Sequence, residues 1–170
     1  MVTFYSRVEK NKTSKIIEEL QRKKTVSLIS DAGTPCISDP GGILVSECIK
    51  NQIKVVPVPG ASSLIHALVL SGFNTKEFYF QGFLPHKGRE GIYNEMKNIR
   101  MTIVLYESKF RIRRTVYELA NYFGNREIAV CRELTKKFEE IIRGKAKELS
   151  ANPNLIKEKG EFVIVIDNSI

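Results

Sequence analysis

Cysteine and histidine are scarce in this chain. Only three cysteines occur, Cys36, Cys48 and Cys131, far apart and without a C-x-x-C pair, and histidine occurs twice. A zinc site needs clustered ligands of these types, so no metal centre is expected. Cysteines this sparse fit a reducing cytoplasm. Long apolar runs are missing as well: no stretch approaches the roughly 18 to 20 residues that a membrane-spanning helix requires. The charged N-terminal stretch is unlike a signal peptide's apolar core, and no membrane partner is expected. Neither G-x-x-x-x-G-K-[ST] nor G-x-G-x-x-G occurs, which disfavours the familiar nucleotide-binding loops. Acidic residues are in deficit, 19 against 27 lysines and arginines, for a net charge of +8. That balance favours an anionic partner such as nucleic acid, or is simply a basic surface.

What is present can build a core. The 170 residues are 42% hydrophobic, enough for one domain or two small ones. Runs rich in Val, Ile, Phe and Tyr predict strands over 25–30, 53–58, 78–83, 102–107, 127–133 and 161–167. Between them, helical spacing predicts helices over 13–24, with Thr13 or Ser14 as N-cap, over 43–51, over 62–72 closing at Gly72, and from Phe110 to Phe123. A strand-like run from Phe138 leads into a short amphipathic helix stopped by Pro153. The alternation argues an α/β fold with a partly parallel sheet. Pro and Gly cluster with cations in "QGFLPHKGREG", which places a domain boundary near residue 85.

Ligands of open α/β sheets bind beyond the carboxyl ends of strands, and "SDAGTP" begins where the strand 25–30 should end. There Gly33 would admit a close backbone approach and Asp31 would accept from an ammonium or a ribose diol. Asp31, Thr34, Ser38 and Asp39 are equally turn formers and caps, with Asp39-Pro40 reading as a helix start. "VPGASS" repeats the arrangement, with Ser62 and Ser63 able to cap or to bind. Cations gather later in the chain, and Lys87, Arg89, Arg111 and Arg132 are candidate phosphate contacts. Phe110 and Phe138 could stack bases, with a core position the alternative for Phe110. His66, in an apolar helix, reads as a satisfied core histidine.

"LISDAGTPCISDPG", "VVPVPGASSLIHAL", "FYFQGFLPHK", "YESKFRI", "CRELTKKFEE" and "GEFVIVI" occur in the order found in one enzyme family. On these motifs the chain resembles the ribosomal RNA small subunit methyltransferase I family, a branch of the tetrapyrrole methylase superfamily. The resemblance implies two α/β domains of tetrapyrrole-methylase type, here 1–84, truncated at its N-terminus, and 85–170. It implies a cytoplasmic homodimer that uses S-adenosylmethionine, bound in the cleft between domains, to methylate a cytidine ribose 2′-hydroxyl of small-subunit ribosomal RNA. Carried over by motif, Asp31, Ala32, Gly33, Thr34, Pro59, Gly60, Ala61 and Ser62 would contact the cofactor from the first domain, and Leu134 and Thr135 from the second. Gly82 to Pro85 would be the hinge. Glu133 is the candidate general base, with Glu107 second.

The family pattern opens with a strand, a Pro-Ile-Gly-Asn-Leu loop, a helix and a further strand before anything like "TSKIIEELQ". The chain lacks them, so an exposed first-sheet edge and altered association are expected. "ESKFR" stands where the family has Glu-Ser-Pro-His-Arg: Arg111 fits, whereas Lys109 and Phe110 do not. Two other readings remain, a methylase of a tetrapyrrole-like small molecule and a non-catalytic RNA-binding fragment.

Overall fold

In a computed structural model, which describes residues 2–5 and 8–169, the chain divides into two compact units, Met1–Ser62 and Ser63–Ile170. The first holds helices α1 (Glu9–Gln21) and α2 (Gly42–Lys50). Ile17, Leu44 and Cys48 form its small core, with Phe4, Ile16, Leu20 and Ile53 packed around them. Helix α1 starts before the expected Thr13 or Ser14: its N-cap is Val8, and the Thr13 hydroxyl donates back to the Glu9 carbonyl at 2.8 Å.

Residues 25–30 and 53–58 are not the strands their composition predicts. β-propensity is a preference for a pleated surface completed by neighbours, and neither segment pairs with a strand among the described residues. Apart from Ile53, which packs on the first unit's core, and the half-buried Leu28, their apolar side chains stay outside, with Ile29 78% and Val58 85% exposed.

The second unit carries α3 (Ser63–Ser71), β1 (Phe78–Phe83), α4 (Arg89–Lys97), β2 (Thr102–Ser108), α5 (Ile112–Phe123), β3 (Glu127–Arg132), β4 (Glu140–Lys145), α6 (Ala146–Ala151) and β5 (Glu161–Ile166). The strands form one five-stranded sheet in the order β1-β2-β5-β3-β4. Among the described residues only β1 and β2 pair in parallel; β5 runs antiparallel to both β2 and β3, and β4 runs antiparallel to β3.

Both faces of the sheet are covered, which explains the near-continuous apolar runs of its middle strands. Ile103, Leu105, Ile128, Val130, Phe162, Ile164 and Ile166 face one core with the inner sides of α4, α5 and α6. Val104, Ala129, Cys131, Val163 and Val165 face the other, beneath Ala67 and Leu68 of α3. Arg143 of β4 ties α3 down by donating to the Leu70 and Ser71 carbonyls.

The units therefore divide at Ser62, earlier than the boundary near residue 85. Helix α3 belongs with the sheet through its apolar face, and β1 through its pairing to β2. The segment Gly82–Pro85 is not a joint between the units: Leu84 is buried in the second unit's larger core. Helix α4 lies where the Pro and Gly cluster suggested a boundary, and it buries Tyr93 and Met96. Among the described residues no helix is long and apolar enough to cross a membrane.

Candidate functional site

Two groups of loops carry the candidate residues, one in each unit. In the first, Ser30 donates its hydroxyl to the Ala32 and Gly33 carbonyls, each at 3.2 Å, and folds the chain into a turn. Gly33 has φ 69°, a left-handed conformation that suits glycine. A Cβ there would meet nothing within 4 Å, so the need is conformational and the space above it is open. Asp31, Ala32, Gly33 and Thr34 are all exposed. Cys36 and Ser38 also have positive φ, 73° and 60°, which sharpens the bend towards α2.

The helix start at the end of this turn differs from the expected Asp39 cap. Gly41 is the N-cap residue, and the capping carboxylate comes from Glu9 of α1, whose Oε1 accepts from the Gly41 and Ile43 amides, each at 2.9 Å. Gly41 is obligatory: its φ is 132°, and a Cβ would lie 2.5 Å from Leu28 Cδ2 and 2.6 Å from Cys36 Sγ. Burial raises the Cys36 and Cys48 thiol pKa values and pushes Cys131 up to about 11, so all three thiols are protonated near neutrality. Among the described residues no cluster of three or more metal-ligating side chains forms.

Pro59, Gly60 and Ala61 are exposed and Ser62 half-buried, on irregular backbone following 53–58. Ser63 opens α3 and directs its hydroxyl to Tyr106 Oη at 3.2 Å. His66 departs from the satisfied core histidine: it is half-buried, and its Nδ1 makes no hydrogen bond to any described residue.

In the second unit, strand directions bring one set of loops to a single edge of the sheet. Ser108 is opposite Glu161 and Arg132 opposite Phe162, so the carboxyl ends of β1, β2 and β3 lie beside the starts of β4 and β5. Glu107 sits beneath this edge with no exposed side-chain surface. Its carboxylate accepts from Arg111 Nη2 at 2.8 Å, Arg89 Nη2 at 3.3 Å, Thr115 Oγ1 at 2.7 Å and the Ser108 amide at 2.7 Å. Arg89 also donates to Glu118 at 2.8 Å and to the Pro85 carbonyl at 2.7 Å, and Arg111 donates to the Leu84 carbonyl at 2.8 Å. Burial raises the Glu118 pKa, but hydrogen bonds from Arg89, Arg114 and Tyr93 outweigh it and leave the net shift downward.

This network overturns three expectations. Glu107 is enclosed by its donors and has no face for a substrate, so it is a structural anion and not a base. Arg89 and Arg111 direct their guanidinium groups inward, at Glu107 and at the backbone after β1, so they do not offer them to RNA phosphates.

The loop from Glu133 to Glu139 is held just as firmly. Glu133 and Thr135 adopt positive φ, 50° and 65°. Glu133 Oε1 accepts from the Glu161 amide at 2.9 Å and from Lys136 Nζ at 3.1 Å, while Lys136 reaches Glu161 Oε2 at 2.7 Å. The Glu161 amide first, and Lys136 after it, hold the Glu133 carboxyl below its usual range, which makes it a weaker base. Gly160 packs against this carboxylate, where a Cβ would lie 2.5 Å from Glu133 Cγ. Arg132 is buried and pairs with Glu140 at 2.9 Å, so it too is committed internally. Leu134 is buried in the core beneath α3, and the exposed Thr135 donates its amide to Glu139 at 2.7 Å. Of the four phosphate contacts expected, Lys87 alone is exposed. Phe110 is no core residue: it is 83% exposed.

Sequence reasoning missed Glu9, Lys136 and Gly160. Lys136 and Gly160 lie inside the motifs "CRELTKKFEE" and "GEFVIVI", but Glu9 carries no local signal, because the amides it caps lie 32 and 34 residues on.

Residues 4–150 match the family described as Tetrapyrrole (Corrin/Porphyrin) Methylases. The chain is 37% identical over 171 residues to the ribosomal RNA small subunit methyltransferase I of Halalkalibacterium halodurans, covering 99% of this chain and 59% of that protein. It is 39% identical to the protein of that name from Bacillus subtilis, with the same coverage, so it spans about three fifths of these relatives. The Thermotoga maritima protein of the same name is 38% identical, with 98% of this chain and 75% of that protein covered. Among solved structures, the methyltransferase CobJ superposes with a TM-score of 0.69 at 16% identity, over 95% of this chain and 72% of that one. Uroporphyrin-III C-methyl transferase from Thermus thermophilus, complexed with S-adenyl homocysteine, does so with a TM-score of 0.59 at 16% identity, over 92% and 73%. At such identities the structures speak to the fold alone, and they share this mixed α/β architecture. On the family match and the relatives together, the chain belongs to the tetrapyrrole methylase family, in its ribosomal RNA small subunit methyltransferase I branch.

Proposed function

We propose that the protein takes part in S-adenosylmethionine-dependent 2′-O-methylation of a cytidine in small-subunit ribosomal RNA. The observation that carries the reading is identity of 37–39% along 99% of this chain to proteins named as ribosomal RNA small subunit methyltransferases. The cofactor supplies an electrophilic methyl group on a positively charged sulfur. The residues present suit it. Asp31 offers an exposed carboxylate to an ammonium, Gly33 presents open backbone in the left-handed conformation, and Thr34 adds a hydroxyl. Pro59, Gly60, Ala61 and Ser62 are the second cofactor-facing turn of that unit. In the other unit Leu134, its side chain packed in the core, would have only backbone to offer a cofactor, and Thr135 would have its hydroxyl.

Glu133 acts here as a positioning residue for Leu134 and Thr135, not as the general base. Its carboxylate fixes the strained loop through Glu161 and Lys136. Glu133→Gln keeps an acceptor for the Glu161 amide, so turnover should fall less than tenfold with an unchanged pH profile. Loss of a true base would cost 10²-fold or more, with the basic limb of the profile removed.

The reading is tested by methyl transfer from labelled S-adenosylmethionine to small ribosomal subunits and, in parallel, to a tetrapyrrole. Label in a cytidine 2′-O-methyl group is the expected result; label only in the tetrapyrrole overturns it. Calorimetry that detects no S-adenosylmethionine binding at millimolar concentration leaves the non-catalytic reading. A cytoplasmic homodimer belongs to the same proposal, and sedimentation of the protein checks the dimer.

A further inference from the structure

The loop edge of the second unit separates its charges into two populations. Most of its carboxylates are paired with cations: Glu107 with Arg89 and Arg111, Glu133 and Glu161 with Lys136, Glu140 with Arg132 and Lys157, Glu158 with Arg113. Glu139 is exposed and is held by the Thr135 amide. Lys87, Lys109, Lys137 and Lys159 are exposed, and none of them forms an ion pair with a described residue. Among these lysines stand two phenyl rings in water, Phe110 at 83% and Phe138 at 61% exposure. Each has its preceding lysine against it, with Lys109 Nζ 5.0 Å from the Phe110 centroid and Lys137 Nζ 5.7 Å from that of Phe138. Lys109–Phe110 follows β2 and Lys137–Phe138 follows β3, two strands away across β5, which puts the ends of those strands about 10 Å apart.

Resting on the RNA reading above, we propose that this edge is a stacking platform for an unpaired RNA segment. Phe110 and Phe138 take bases, and the free lysines take phosphates. An exposed ring accepts any base face, and an adjacent ammonium neutralises the backbone; both recur where proteins hold single strands. A duplex keeps its bases stacked on one another and has none to give these rings. A protein partner is the poorer fit, because protein interfaces exclude lysine from their cores and gather apolar groups into one patch, whereas here each ring stands beside a cation.

The test is fluorescence anisotropy of the full chain with a labelled single-stranded RNA of about 12 nucleotides and with its duplex. Phe110→Ala and Phe138→Ala should each weaken single-strand binding about fivefold or more, while Phe110→Trp retains it. Lys109→Ala with Lys137→Ala should lower the salt slope by about 1.4. Tyr117→Ala, which removes a ring that is 61% exposed on α5, should leave binding within twofold, and duplex binding should ignore both Phe substitutions. If wild type binds the single strand and both Phe variants match it within twofold, the platform is wrong and the RNA reading stands. If wild type binds no RNA and methylates a small molecule, the RNA reading falls and the platform with it. If the Phe variants instead change the sedimenting species, the edge is a contact between copies and the proposal is overturned.

Discussion

At the scale of single residues, Glu107 is the clearest case of charge confined by structure. Two guanidinium groups converge on a carboxylate with no exposed side-chain surface. Removing one member of a buried charge cluster strands the others, at about 3 kcal/mol or more. Glu107→Ala should therefore lower stability by that amount in urea unfolding, and Glu107→Gln, which keeps an acceptor, by less. Gly160 is the second case. Its φ of 99° and the 2.5 Å approach to Glu133 Cγ predict that Gly160→Ala costs about 1–3 kcal/mol and loosens the Glu133–Glu161 contact. Thermal unfolding checks the cost, and faster amide exchange at Glu161 checks the contact. Chemical type at these positions was legible in the sequence, and commitment was not. "HKGRE" and "SKFRIRR" advertise cations, but the groups that turn Arg89 inward, Thr115 and Glu118, lie 26 and 29 residues on.

At the scale of elements, α2 depends on a carboxylate from α1. Glu9→Ala would leave the Gly41 and Ile43 amides without their acceptor, at about 1–2 kcal/mol. Hydrogen exchange on the full chain should then show α2 amides exchanging roughly tenfold faster, with β2 and β5 unchanged. The loop after β3 gives a pH prediction. The Glu133 and Glu140 pKa values are lowered, the first chiefly by the Glu161 amide and the second chiefly by Lys157. Their stabilisation is complete above the ordinary glutamate range of about 4.3 and is lost as pH falls through the lowered values. Lys136 is shifted the other way, raised chiefly by Glu161. Its contribution is complete below about pH 10.4 and fades as pH rises through the raised value. The buried Cys131 thiol, pushed up to about 11, begins to cost stability earlier, as pH rises past the ordinary thiol value of about 8.5. Unfolding midpoints should therefore form a plateau between roughly pH 5 and 8, and Lys136→Met should flatten only the part of the alkaline limb above about pH 10.

At the scale of the whole molecule, one kind of sequence signal led to two outcomes. β2, β3 and β5 read as strands because both their faces are buried, and they are strands. Residues 25–30 and 53–58 read the same way and are not, because a ladder partner lies outside any one segment's composition. Helix α4 was hidden by Gly88 and Gly91, although Tyr93 and Met96 carry its period. The two cores predict uneven protection. Amides of 25–30 and 53–58 should exchange in seconds, while those of β2, β3 and β5 should wait for opening of the second unit, as exchange followed by mass spectrometry would record.

The place of β5 has a consequence for how the second unit is made. Its residues 161–166 come after every other strand in the chain yet occupy the middle of the sheet, between β2 and β3. During vectorial synthesis, β1 with β2 and the β3–β4 hairpin are two half-sheets, each with an inner edge open. At ordinary elongation rates β2 must wait on the order of 3 to 10 s for its keystone. Over that interval those open edges are surfaces a nascent-chain chaperone can hold.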